Sequence, residues 1–192
     1  RHMYAESYRN LRSALLFFPA DGLRPRIILV TSALPNEGKS TIAANLAETL
    51  ALGGARVLLV DGDMRRGRLH EVLGLQAGPG LSEVLAGSTS LEQALQSNCR
   101  PNFSFLGRGG SIKNPGDAFL GPELDRTLAL WREQFDFVVI DTCPVFAADD
   151  ASTLANKVDG TLFVVRRRFS RARVVREALD LERVRPQVRK AL

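Results

Sequence analysis

Two cysteines in 192 residues, Cys99 and Cys143, exclude a disulfide scaffold and fit a reducing compartment. Long apolar runs are missing too. The longest, IILV at 27–30 and FVVI at 137–140, have the length of strands, against the roughly 20 residues of a membrane helix. The first residues do not show the charged-then-apolar pattern of a signal peptide. Histidine occurs twice, as His2 and His70, which gives a Cys–His nucleophilic pair little support. No metal-ligand spacing is present either. Cys143 is therefore expected to be a satisfied structural thiol, and His70 to cap or pack. No repeat or low-complexity tract occurs. What remains is 45% apolar and 24% charged residues, in a length suited to one domain with a sizeable core.

The net charge is +5, with a pI of about 9.8. Only four of the 26 basic residues are lysine: Lys39, Lys113, Lys157 and Lys190. From Arg166 to Leu192 ten basic residues face three acidic ones, a net of +7, so the rest of the chain carries −2. A uniform surplus would suggest nucleic acid or acidic lipid. This one is local. Arg166, Arg167 and Arg168 follow a strand, where nucleotide or subunit contacts are expected. The others lie mostly on or just after one helix whose apolar face holds Val175 and Leu179, so most form a solvated face. No nucleic-acid partner is expected.

Arg1-His2-Met3 reads as a cloning remnant, leaving residues 4–192 as a single domain. A helix is predicted over 5–16, with Leu11, Ala14 and Leu15 on one face and Glu6, Arg9 and Arg12 on another. Strands are predicted at 26–32, 55–63, 102–106, 135–141 and 160–165. Helices are predicted at about 40–52, 122–134, 149–157 and 170–185, with shorter pieces around 69–73, 81–86 and 91–96. Strands apolar on both faces and separated by helices predict an α/β fold: a mainly parallel five-stranded sheet between two helical layers.

Three strand ends carry chemistry. Ala33-Leu34-Pro35-Asn36-Glu37-Gly38-Lys39-Ser40-Thr41 lies between a buried strand and a helix, where a phosphate loop belongs, although Ala33 replaces its first glycine. Backbone N–H groups and the helix's positive end would hold polyphosphate there. Lys39 would reach the β/γ-phosphates and the Ser40 hydroxyl would bind Mg2+. Val57–Asp63 ends in two carboxylates, Asp61 and Asp63, suited to one metal contact and one proton acceptor. Arg65, Arg66 and Arg68 follow and could offset phosphate charge. Phe137–Asp141 is four apolar residues ending in aspartate, the Walker B form.

ALPNEGKST, VLLVDGDMRRGRLH and FDFVVIDTCPV resemble the Walker A, Walker A′ and Walker B motifs of the bacterial tyrosine kinases, the cytoplasmic kinases of capsule and exopolysaccharide export. GLSEVLAGSTSLEQAL (80–95), the Lys113-Asn114-Pro115 loop and Glu6-x-x-Arg9-x-x-Arg12 resemble further elements of that family. The resemblance implies a P-loop NTPase fold of the deviant Walker, ParA/MinD-like kind, with ATP and Mg2+ as cofactors. It implies phosphotransfer to tyrosine. It also implies rings assembled through Glu6, Arg9 and Arg12, in which a neighbour's tyrosines enter each site. A membrane-anchored activator, the polysaccharide co-polymerase, is implied as partner, at the inner face of the bacterial plasma membrane. By position, Asn36, Glu37, Gly38, Lys39, Ser40 and Thr41 form the nucleotide cradle. Lys39, Asp61, Asp63 and Asp141 form the catalytic set, with Asp63 the base. Ser40, Asp63 and Asp141 are the Mg2+ ligands.

The chain departs from the family pattern in four places. Asn36 stands where glycine is usual; asparagine also tolerates a left-handed backbone. Gly67 and Cys143 replace prolines, departures expected to be minor. A tyrosine-rich tail is absent, and Tyr4 and Tyr8 are the only tyrosines. The chain ends at Leu192 where a last core strand is expected, so that strand is expected beyond it. Two other readings stand beside the kinase. One is a ParA/MinD-like ATPase switch, disfavoured because Ala33, Leu34 and Pro35 occupy the positions of its extra lysine motif. The other is a non-catalytic nucleotide-binding regulator of an export complex.

Overall fold

The computed structural model describes residues 2–17 and 24–182. Six strands form one sheet: β1 (Ile27–Ser32), β2 (Val57–Asp61), β3 (Gln96–Arg100), β4 (Phe103–Leu106), β5 (Phe137–Asp141) and β6 (Gly160–Val164). Their order is β3-β4-β2-β5-β1-β6, parallel except for β3 on β4. The sequence predicts five strands and misses β3. Gln96-Ser97-Asn98-Cys99-Arg100 has no apolar alternation, and its pairing with β4 is what makes it a strand. The helix predicted at 91–96 stops accordingly, and α5 spans Leu91–Ala94.

Adjacent residues on each strand point to opposite faces, and both faces are apolar. Ile28, Val30, Val57, Leu59 and Val139 pack under α2 (Lys39–Leu52), which buries Ala43, Leu46, Ala47, Leu50 and Ala51 at helical spacing. Ile27, Leu29, Leu58, Val60, Val138 and Ile140 face the opposite layer, where Leu124, Leu128 and Trp131 of α7 (Pro122–Gln134) meet Leu154 of α8 (Asp150–Ala155). Each buried Val, Leu or Ile among these contributes roughly 1.5–3 kcal/mol of transfer free energy, and each alanine less. The β1–β2 and β4–β5 crossovers run in opposite directions along the sheet, so right-handed connections put α2 and α7 on opposite faces. Three layers result, with the carboxyl ends of the five parallel strands on one edge.

The N-terminal helix α1 (His2–Leu16) begins earlier than predicted and takes in His2 and Met3. Leu11, Leu15 and Leu16 pack toward α2. Arg12 does not share an open face with Glu6 and Arg9. It is half-buried, and its Nη1 donates to the Thr49 carbonyl at 3.4 Å. Glu6 and Arg9 are exposed and 3.8 Å apart. Tyr8 is half-buried; burial pushes its hydroxyl pKa up, against a hydrogen bond with Asn45. The last helix, α9, spans Ala172–Glu182, so it starts two residues later than predicted; residues 183–185 of the predicted helix lie outside the described residues.

Candidate active site

The carboxyl edge of the sheet gathers the three motifs. Between β1 and α2 the phosphate loop curls through left-handed backbone at Asn36 (φ 64°) and Gly38 (φ 97°). Asparagine thus fills the role expected of it at the family's usual glycine. The loop delivers its N–H groups to the first turn of a 14-residue helix, whose dipole favours phosphate. Lys39 opens that helix and is buried. Glu37 behaves differently from its neighbours. Its carboxylate is 4% exposed, accepts the Leu34 N–H at 2.8 Å and is hydrogen-bonded to the Ser170 hydroxyl. It shapes the loop from within, so its side chain is not part of the cradle's inner surface.

Arg166, after β6, donates to the Asn36 carbonyl at 2.9 Å. Of Arg166, Arg167 and Arg168, expected to contact nucleotide or a subunit, Arg166 is the one bonded to the phosphate loop here. Its contact is with the loop backbone. Ser170 and Arg166 together tie the start of the α9 region to the phosphate loop. Sequence reasoning missed Ser170, because nothing in a lone serine before a helix marks a partner 133 residues away.

Asp61 and Asp141 end neighbouring parallel strands and stand opposite each other in register. They are 0% and 2% exposed. Leu69 N–H donates to Asp61 at 3.1 Å. Ser40 hydrogen-bonds Asp141, and Lys39 is close enough to stabilise its charge. One oxygen of each carboxylate, Asp61 Oδ1 and Asp141 Oδ1, has no partner. Burial pushes the Asp61 pKa up to about 7, helped by the charge of Asp141. Burial also lifts Asp141 to about 7, despite Ser40 and Lys39. Two buried acids with open oxygens, beside a lysine and a hydroxyl, are short of positive charge. A hard divalent cation with oxygen ligands, completed by phosphate and water, fits that shortage.

Asp63 lies one turn further out and is half-buried. Its Oδ1 accepts the N–H groups of Arg66 at 2.8 Å and Arg65 at 3.2 Å, which fixes the carboxylate's direction. The turn closes with Gly67 N–H donating to the Asp63 carbonyl at 2.6 Å. Gly67 is not a minor departure. A Cβ there would lie 2.0 Å from Asp61 Oδ1, so this turn holds Asp61 only because the residue is glycine. Two of the three arginines expected to offset phosphate charge, Arg65, Arg66 and Arg68, are held by acids of this chain. Arg68 pairs with Glu71, and Arg65 pairs with Asp150, an acid the sequence reading did not single out. Cys143 is buried. Burial, with Asp150 and Asp63 nearby, pushes its thiol up to about 12, which fits a structural thiol. Among the described residues no group of three or more His, Cys, Asp or Glu forms a metal site.

A family profile described as an AAA domain matches residues 26–158. The tyrosine-protein kinase YwqD of Bacillus subtilis is 34% identical over 165 residues, covering 86% of this chain and 69% of that protein. The succinoglycan biosynthesis transport protein ExoP of Rhizobium meliloti is 35% identical over 185 residues, covering 95% of this chain and 23% of that protein. This chain spans about a quarter of the length of the first curated relatives it matches. Among solved structures, the kinase domain of the Escherichia coli tyrosine kinase ETK superposes with a TM-score of 0.88 at 29% identity, covering 96% of this chain and 72% of that one. MinD of Pyrococcus horikoshii, solved with Mg-ADP, gives 0.69 at 27% identity over 85% of this chain and 67% of that one. The strand-end motifs, the match across most of YwqD and the ETK-like fold agree: this chain belongs to the bacterial tyrosine-protein kinase family.

Proposed function

We propose that this chain is an ATP- and Mg2+-dependent protein-tyrosine kinase that phosphorylates tyrosines of a neighbouring copy, in the machinery of exopolysaccharide or capsule production. One observation carries the reading most: the buried Asp61–Asp141 pair with its open oxygens, set beside Lys39 and Ser40. The phosphate-loop N–H groups and Lys39 bind the ATP phosphates. Ser40, Asp63 and Asp141 are the residues that would hold Mg2+, and Asp61 stands behind them as a buried counter-charge. Bound Mg2+ supplies charge neutralisation on the phosphates. Asp63 has one oxygen pinned by two N–H groups and is the only one of the three acids that is not fully buried. A tyrosine hydroxyl ionises near pH 10, so it needs such an acceptor to become a useful nucleophile. Asp63 takes that proton.

Glu6 and Arg9 are the exposed pair through which copies assemble; Arg12 serves the α1–α2 packing instead. The partner that brings the module to the inner face of the plasma membrane is a membrane-anchored activator of the co-polymerase kind. The test is to incubate the protein with labelled ATP and Mg2+ and probe for phosphotyrosine. Lys39→Met and Asp63→Ala are each expected to cut the signal a hundredfold or more. ATP hydrolysis without phosphotyrosine would replace this reading with an ATPase switch. Nucleotide binding without either would leave a regulatory subunit.

A further inference from the structure

We propose that Asp150 is a positioning residue for this site, acting through Arg65 to hold the Walker A′ turn that aims Asp63. The inference rests on the nucleotide-site reading above.

Asp150 begins α8 and is 1% exposed, which is unusual for a carboxylate. A buried carboxylate is tolerated only with a close partner. Its partner comes from another part of the chain. Arg65 Nε and Nη2 reach the two Asp150 oxygens at 2.8 and 3.1 Å, a two-pronged geometry that fixes direction as well as distance. The arginine side of the pair is 42% exposed, so the bond runs from the rim of the site into the protein.

Arg65 is also held at its other end. Its backbone N–H, with that of Arg66, binds Asp63 Oδ1. One residue therefore joins two acids: its main chain directs Asp63 and its side chain is anchored on Asp150. Without the anchor, the hydrogen bonds left to the 63–67 turn are short-range ones, those to Asp63 Oδ1 and from Gly67 N–H to the Asp63 carbonyl, and the buried Met64 side chain is its remaining hold on the core. Asp150 is itself enclosed. Cys143 Sγ lies 4.0 Å away, and a Cβ on Gly116 would approach Asp150 Oδ1 to 3.5 Å. The anchor point is thus fixed by the end of β5 and by α6 (Pro115–Leu120) as well as by α8.

A buried ion pair kept only for stability has a recognisable signature. Removing the partner of a buried charge destabilises strongly, and removing both partners restores stability. Positioning is not restored by removing both. The test compares Arg65→Gln, Asp150→Asn and the double variant by melting temperature, by ADP affinity without Mg2+, and by Mg2+ affinity of the ADP-loaded protein. Arg65→Gln is expected to melt lowest, and the double variant to recover most of that loss. Mg2+ affinity is expected to fall about tenfold in each single variant and to stay there in the double variant, with Mg2+-free ADP affinity within twofold throughout. Where the parent makes phosphotyrosine, kcat falls 10- to 100-fold with KM for ATP within twofold, again no worse in the double variant. Recovery of Mg2+ affinity together with melting temperature, or parental Mg2+ affinity in either single variant, would overturn the proposal. A parent that binds Mg-ADP but makes no phosphotyrosine would overturn the kinase reading alone, and the Mg2+ titration would still decide this one.

Discussion

The two edges of the sheet use the same residue type to opposite ends. At the amino edge, Asp136 and Asp159 stand just before β5 and β6, and their bonds are many. Asp159 accepts the N–H groups of Arg26 and Ile27 at 2.9 and 2.8 Å and a fork from Arg132 at 2.8 and 2.7 Å. Asp136 accepts the Arg56 N–H at 2.8 Å and its guanidinium at 2.9 Å. Arg56 holds the Asp136 carboxyl below its usual range. Burial pushes Asp159 up, but Arg132 and the two N–H groups outweigh it and the net shift is down. At the carboxyl edge, Asp61 and Asp141 keep an open oxygen each and sit near 7. An aspartate at a strand end is a structural clamp or a ligand site according to the donors folded around it. The edge with unmet demand is the one proposed above to bind nucleotide and Mg2+.

The comparison breaks first at Asp159. Asp159→Ala removes the acceptor of two strand-leading N–H groups and an arginine fork, and is expected to cost about 2–3 kcal/mol, a fall of roughly 5–10 °C in melting temperature. Nucleotide affinity should not change. A parallel loss of nucleotide binding would show that the edges are not separate.

The next effect has the opposite sign. A carboxyl whose folded pKa lies above its unfolded value of about 4 makes the folded state less stable as pH rises from about 4 to about 7. Asp61→Asn removes that burden. In nucleotide-free protein it is expected to melt above the parent at pH 8, by on the order of 1–3 kcal/mol, with the gap closing by pH 5. Asp136 and Asp159 act the other way: their contribution is present above pH 4 and is lost as pH falls through their lowered pKa values. Melting curves from pH 2 to 8 check both signs.

The smallest effect concerns the exposed face of α1. Arg9→Ala should leave stability within about 0.5 kcal/mol, because its pair with Glu6 is open to solvent. It should lower the mass seen by light scattering if copies assemble there. Arg12→Ala should instead cost about 1 kcal/mol through lost packing on α2. An unchanged mass for Arg9→Ala, from an oligomeric parent, would remove the role assigned to that face.

Much of the site was legible because its chemistry is local. Lys39 and Ser40 follow a strand within a few residues, Asp61 and Asp141 each close an apolar run, and Asp63 stands two residues after Asp61. The left-handed turn at Asn36 was legible for the same reason. Distant partners were not. Asp150 reads as one of two acids opening a helix, and its role depends on Arg65, 85 residues earlier. Glu37 reads as part of a cradle until Ser170 and Leu34 are seen to hold it. Gly67 reads as a loose substitution until Asp61 fills the space a side chain would need. Strand β3 reads as a polar connector because an edge strand drawn in by its neighbour needs no apolar pattern of its own.

The sequence by itself determined the alternation of apolar strands and helices, and with it the edge at which the motifs converge. Periodicity and turn chemistry act over a few residues, so the chain records them directly. Only the tertiary structure decided which acids are clamped and which are left open. That depends on how many donors from remote elements arrive at each carboxylate, and on how much water the surrounding core excludes.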